Sequence, residues 1–289
     1  MITLQYEHKL VASVQAWVEH TLLSKGNAYT NSSGFFYPIV TNSNYFTYSL
    51  PYRPLVSNAS ITGASIMSGV YLDRTYITAG QSGLMGVNFE KGLVYFTGQI
   101  TGSTSRLSGN YAVSDFNVKP TSEPEESLLF ENKYFLKSKV NQTVSGLGVN
   151  DITFPVVYVK NFSSDSNEFA FGGHDKYTNR FRLIVLGDSQ YTADGVASIF
   201  RDKARTMIPM ITGHNEMPFN NYGDFANGIY NYNVLLTGRN HSNDSIWLES
   251  VTSINGLPGT SYAELRKINP FVFVSLIDLE LQSYRIGRS

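Results

Sequence analysis

Cysteine is missing altogether from this sequence. Its absence excludes disulfide staples, thiolate zinc sites and cysteine nucleophiles in one step. A chain of 289 residues needs no such staples, being long enough to bury one core or two. Charge is also scarce, at 16% of residues against roughly a quarter in an average soluble domain. The formal net charge is −1, with no Lys/Arg block and no basic stripe, so the electrostatic footprint of a nucleic-acid binder is lacking. No apolar run approaches the ~20 residues that span a bilayer. The opening "MITLQYEHKL" lacks the basic-then-apolar order of a secretion signal. Asn-x-Ser/Thr triplets at Asn31, Asn58, Asn141, Asn161, Asn240 and Asn243 are read as products of composition, not as glycosylation sites.

Aromatic residues fill part of the space that charge leaves. There are 19 Tyr and 18 Phe but only 2 Trp, among many Asn, Gly, Ser and Thr. Tyr, Phe and the β-branched residues suit pleated, half-buried surfaces, so the balance favours strands. One helix is nevertheless predicted early, from about Leu4 to Ser24. Leu10, Val14, Trp17, Val18, Thr21 and Leu22 recur at three- and four-residue spacing to give an apolar stripe. Gly26-Asn27 supplies its stop.

From Phe35 to about Thr121 the texture is that of short strands. "LMGVNFEKGLVYF" reads as two strands around Glu90-Lys91-Gly92, with glycine where a positive φ is needed. Lys119 to Ser127, "KPTSEPEES", reads as a linker. Beyond it, "LLFENKYFL", "ITFPVVYV", "RFRLIVLG", "GIYNYNVLLTG" and "SIWLESVTSI" read as strands, with Pro155 marking an edge or a bulge. A second helix is predicted from Ser189 to Ile208. It carries Val196, Ile199, Phe200, Lys203 and Met207 on one side and is stopped by Pro209. In the closing strand, Val272, Val274 and Leu276 alternate in one register and Leu279 and Leu281 in the other, which suggests a bulge near Ile277-Asp278. Two main helices among ten or more strands, not interleaved with them, specify an α+β class that is β-rich, with strands packed on the helices. The expected organisation is an N-terminal helix over 1–34 joining the core, an inserted all-β module over 35–121, and an α+β core over 122–289 with its helix at about 189–208.

The strand end "VLGDSQ" resembles the nucleophile block of the SGNH or GDSL hydrolases, in which Gly-Asp-Ser ends a strand and the serine opens a helix. Ser189 would be that nucleophile. This sequence departs from the family pattern: the block lies past residue 180, and neither His214 nor His241 has an aspartate three residues before it. The alternative reading makes Asp188 or Ser189 a helix cap, worth ~1 kcal/mol. No His-x-His or His-Glu-x-x-His spacing joins the histidines into a metal site. Asp165, Glu168, His174 and Asp175 gather in one stretch that offers either a calcium site or a polar hairpin loop, and the loop is preferred. No cofactor motif occurs, and the expectation is a protein without metal or cofactor that is not an enzyme.

Tyr and Phe are enriched and Lys and Glu depleted at the cores of protein interfaces. Interface material is therefore sought in the aromatic hairpins at Phe35–Leu50 and Phe219–Tyr232. The candidate contact residues are Phe35, Phe36, Tyr37, Tyr45, Phe46 and Tyr48 in the first. In the second they are Phe219, Tyr222, Phe225, Tyr230 and Tyr232. The alternative for these stretches is a buried core strand with a polar loop. Three pieces carry a wider resemblance: the helix "LVASVQAWVEHTLL", the unit "FRLIVLGDSQYTADGVASIFRDKA" and the strand "FVFVSLIDLELQ". Together with the absence of cysteine they resemble virion structural proteins of tailed bacteriophages, nearest to the neck and tail-terminator ring proteins. That resemblance implies a homo-oligomeric ring of about six or twelve subunits, assembled in the host cytoplasm into the virion. Its partners would be other neck, tail tube or sheath proteins, with no membrane and no sequence-specific nucleic acid. The alternatives left open are another virion component, such as a baseplate, fibre-attachment or decoration protein, and a GDSL-like hydrolase using Ser189.

Overall fold

The computed structural model describes residues 5–39, 45–100, 107–132, 134, 154–170, 174–211, 228–236, 245–257 and 259–286. The chain is β-rich and of the α+β class, with fourteen strands among the described residues.

Helix α1 spans Tyr6–Lys25. Its apolar stripe is present, but the helix is covered almost all round. Leu10, Val14, Trp17, Val18 and Leu22 face the principal core, while Leu23 packs on the other side with Val56, Ile61 and Ala112. Polar positions between them are buried as well, and Ser13, Gln15 and Glu19 find partners. Ser13 Oγ donates to Lys9 O at 2.6 Å and accepts from the Ile211 N–H at 2.8 Å. Gln15 Nε2 donates to Val118 O at 3.2 Å. Buried polar groups persist only when satisfied in this way, so α1 is an internal helix with a one-sided apolar pattern. It ends at Gly26, whose N–H bonds Leu22 O, but the left-handed residue that turns the chain is Asn27 (φ 47°).

Nine strands follow: β1 (Tyr29–Phe35), β2 (Tyr37–Pro38), β3 (Phe46–Ser49), β4 (Gly69–Leu72), β5 (Thr75–Thr78), β6 (Leu84–Asn88), β7 (Leu93–Phe96), β8 (Leu107–Ser114) and β9 (Asn117–Pro120). Eight of them form two four-stranded sheets, ordered β1-β8-β4-β5 and β2-β3-β7-β6. These sheets enclose a core of their own around Phe36, Tyr48, Leu50, Phe96 and Tyr111. The turn between β6 and β7 places Gly92 at φ 61°, a conformation open to glycine at no steric cost.

The principal sheet has six strands in the order β12-β13-β14-β11-β10-β9. The new strands are β10 (Val156–Ala170), β11 (His174–Gly187), β12 (Thr206–Pro209), β13 (Ser245–Asn255) and β14 (Phe273–Ile286). Only β9–β10 is parallel. Three further helices are α2 (Gln190–Arg201), α3 (Tyr232–Leu236) and α4 (Gly259–Ile268), and a π-helical turn covers Ser127–Glu131. On one face of the sheet, α1 and α2 bury Trp17, Phe181, Val185, Phe200, Leu248 and Leu279. On the other, α4 and the π-helical turn bury Tyr158, Ile184, Leu265, Val274 and Leu276.

Several local expectations give way to this sheet. The second helix ends at Arg201 instead of running to Ile208. Arg205 turns at φ 62°, and Thr206–Pro209 then pairs with β13, which buries Ile208. "LLFEN" forms the π-helical turn, because Leu128 and Leu129 must both reach the same small core. "IYNYNVLL" makes a single bridge at Tyr230 and then helix α3. Pro155 immediately precedes β10, an interior strand, and is neither edge nor bulge. No bulge interrupts β14 either: all fourteen residues pair with β11 in one register. Its apolar pattern changes register because both faces are buried, Val274 and Leu276 on one and Ile277, Leu279 and Leu281 on the other. The bulges fall on neighbouring strands, between Leu248 and Ser250 in β13 and between Asn161 and Ser163 in β10. The stretch read as a linker is part of the body, since Lys119 and Pro120 lie in β9 and Glu125 reaches an arginine of β11.

Candidate functional site

Among the described residues, the helices on the α4 side cover one end of the principal sheet. Beyond the row through Tyr158, Ile184 and Leu276, the same face carries polar and aromatic side chains arranged by strand register. Residues paired across neighbouring strands share a face about 4.8 Å apart, so the register spells out rows. The first is Thr252, Asp278, Arg182 and Lys160. The second is Ser250, Glu280, Arg180 and Ser163, and the third is Trp247, Gln282, Thr178 and Asp165.

The first row is locked. Arg182 grips Asp278 in a bidentate pair, Nε to Oδ1 at 2.6 Å and Nη2 to Oδ2 at 2.9 Å, and its Nη1 donates to Glu125 Oε1 at 2.8 Å. The Asp278 hydrogen bonds, followed by those to Glu125, hold the guanidinium even further above its usual pKa despite partial burial. Phe162, 63% exposed, stands with its ring centroid 5.6 Å from Arg182 Cζ. The second and third rows are open. Among the described residues, Arg180 has one carboxylate within 4 Å, that of Asp165 at 3.9 Å and more than half exposed. Among the described residues, the side chains of Ser250, Thr252, Glu280 and Gln282 make no hydrogen bond. Trp247 is 38% exposed and donates its Nε1–H to Glu249 Oε2 at 3.0 Å. Phe162, Arg180, Arg182, Ser250, Thr252 and Glu280 line a cavity of about 240 Å³ on this face.

The aromatic hairpins behave differently from one another. Phe35 and Tyr37 are exposed on the β-module, and Tyr45 and Phe46 are half-buried, Tyr45 edge-on to Tyr95 at 5.4 Å. Phe36 and Tyr48 point into the module's core and are not available to a partner. The alternation of a strand dictates this split, since Phe35 and Phe36 must face opposite ways. Tyr232 is likewise internal, and Tyr230 spends its hydroxyl inside the chain. Phe219, Tyr222 and Phe225 lie outside the described residues, as do His214 and His241.

Tyr230 and Tyr232 belong to a polar node between α1, the β-module and α3. Tyr230 Oη donates to Glu19 Oε2 at 2.9 Å. Burial pushes the Glu19 carboxyl up to about 7, against a smaller lowering by the Tyr230 hydrogen bond. His20 stacks on Tyr232 at 4.2 Å, and its Nδ1 accepts from Asn58 Nδ2 at 3.1 Å. Burial, then the nearby Lys203 and Lys25, lower the imidazole to about 4. Asn58 Oδ1 accepts from the Tyr232 N–H at 3.2 Å and the Ser60 N–H at 3.1 Å. Both side-chain polar atoms of Asn58 thus work inside the chain, and the residue is fully buried. No spacing in the sequence signals this node, because Glu19 and Tyr230 are 211 residues apart.

Ser189 is the N-cap of α2: its Oγ accepts from the Thr192 N–H at 3.1 Å. The Thr192 hydroxyl in turn donates to Asp188 Oδ1 at 2.9 Å. Both residues read as capping candidates therefore serve the first turn. Of the residues weighed for calcium, Asp165 and Glu168 are three apart on β10 and fall on opposite faces, so they do not converge. Among the described residues, no group of three His, Asp or Glu side chains is placed to hold a metal ion. No family model matches the chain, and no curated protein matches its sequence.

Proposed function

We propose that the chain is a structural subunit of a tailed-phage virion, forming a homo-oligomeric ring at the neck or tail end and acting by assembly. In this reading the principal sheet packed on α1 and α2 is the ring-forming core. The two four-stranded sheets, β1 to β8, are an inserted β-module that meets a neighbouring neck, tail tube or sheath protein, whereas β9 within the expected 35–121 stretch belongs to the principal sheet. The observation that supports it most is the placement of large exposed apolar side chains. Phe162, Val234 and Phe271 are each more than 60% exposed, and they lie in β10, in α3 and in the turn before β14. A ring subunit meets a different patch of its neighbour on each side, so it needs apolar contacts on more than one face. Single exposed hydrophobics are ordinary, but here they accompany a surface with little charge to keep copies apart.

Mass photometry with negative-stain images tests this directly. Closed rings of about six or twelve copies are the expected result, and a monomer that persists at high concentration refutes it. The open rows of the principal sheet favour a second reading, a virion component that attaches or decorates. Trimers in the same experiment would support that reading.

A further inference from the structure

We infer that the open rows of the principal sheet are a binding face for a neutral saccharide. The inference does not rest on ring formation. Three features of the face define the ligand.

First, the face is polar and unsatisfied. Glu280 and Gln282 in β14 and Ser250 in β13 present a carboxylate, an amide and a hydroxyl with no partner among the described residues, and Ser163 Oγ is buried without one. Strand register sets these groups about 4.8 Å apart across the sheet and about 7 Å apart along it. A ligand that meets them needs many hydroxyls at similar intervals, each able to donate and accept. Second, aromatic surface borders the polar groups. The Trp247 indole, whose Nε1–H is held by Glu249, occupies the end of the third row, and the exposed Phe162 ring lines the cavity at the first two rows. The faces of sugar rings carry C–H groups that pack on such π-surfaces. Third, charge is mixed. Arg180 is paired in register with Glu280 and lies 3.9 Å from Asp165, while Arg182 is neutralised by Asp278 and Glu125. An anionic ligand would meet those carboxylates, and a lipid would find too little apolar area. The Arg182–Asp278 pair holds the floor rigid, which lowers the ordering cost of binding.

The two tryptophans make the test clean. Trp17 is buried and Trp247 is not, so quenching of fluorescence by acrylamide reports on Trp247 alone. The full chain is screened on a printed array of neutral and acidic glycans, and then titrated with maltotriose, cellotriose and chitotriose. Saturable binding to at least one neutral glycan is expected, with Trp247 protected from acrylamide. Trp247→Ala is expected to abolish binding, and Glu280→Gln to weaken it at least tenfold. Both sites are on the surface, so an unchanged melting temperature confirms the fold. Binding to no glycan, or only to acidic ones, overturns the proposal, as does retention of full affinity in Trp247→Ala. Trp247 already shielded from acrylamide in the free protein would also overturn it, because a second copy would then occupy the face.

Discussion

Replacing Glu19 by Gln should change how stability depends on pH more than it changes stability itself. In the folded chain, burial raises the carboxyl from its ordinary 4.5 to about 7. The folded state therefore keeps a proton that the unfolded chain releases. The stability this proton confers is complete below pH 4.5 and is lost as pH rises to about 7. At ~1.36 kcal/mol per pKa unit, the loss over that window is about 3 kcal/mol. His20 acts with the opposite sign. Its folded value is lowered from 6.5 to about 4, so its contribution is complete above 6.5 and is lost as pH falls toward 4. The ring is only half-buried, and solvent screening makes its share smaller than that of Glu19. Between pH 4.5 and 6.5 the two neighbours therefore oppose each other. Gln keeps an oxygen to accept from Tyr230 Oη but has no proton to lose. Urea unfolding of both proteins at half-unit steps from pH 4 to 8 gives the difference directly. Near pH 4.5 the two should be of similar stability, and by pH 7 the variant should be ahead by about 3 kcal/mol. A difference that stays constant across the range would mean that Glu19 is not held protonated in the fold, and the reasoning would fail.

Three further outcomes are expected. Phe200→Ala removes a fully buried ring packed at 5.3 Å on Trp17 and should cost ~3–5 kcal/mol in denaturant melts. Ser189→Ala removes the α2 cap and should cost ~1 kcal/mol, while ester hydrolysis stays at the same negligible level in both proteins; activity lost on substitution would revive the hydrolase reading. Gly69→Ala should destabilise the β-module by at least ~1 kcal/mol, because a Cβ there would meet the Ile77 carbonyl oxygen at 2.2 Å. Loss of exchange protection across β4 and β5 would register it.

Local features were legible in the sequence where they depend on a few neighbouring residues. The end of α1, the Glu90-Lys91-Gly92 turn and the serine ahead of α2 all lie within short windows of their cues. Features that depend on pairing at a distance were not legible. The change of register in β14 has two physical causes that look alike in one strand, an extra residue or a second buried face, and only the neighbouring layers decide between them. Met207 and Ile208 continue the periodicity of α2 and so lengthen the helix expected from sequence, yet Ile208 is buried by joining β13. The rows on the open face align residues from β10, β11, β13 and β14, with Arg182 and Asp278 96 residues apart. Their alignment is set by bulges at Phe162 and Glu249 that no local signal announces.

The two-sided burial of β14 also orders events in time. This strand lies between β11 and β13 and supplies side chains to the cores on both faces of the sheet. Until it has emerged from the ribosome, β11 has an unpaired inner edge, and Leu183 and Ile184 of the same strand each lack a neighbour on their own side. The principal sheet can therefore close only after β14 has been made, whereas the two smaller sheets, complete by Ser114, are free to form before it.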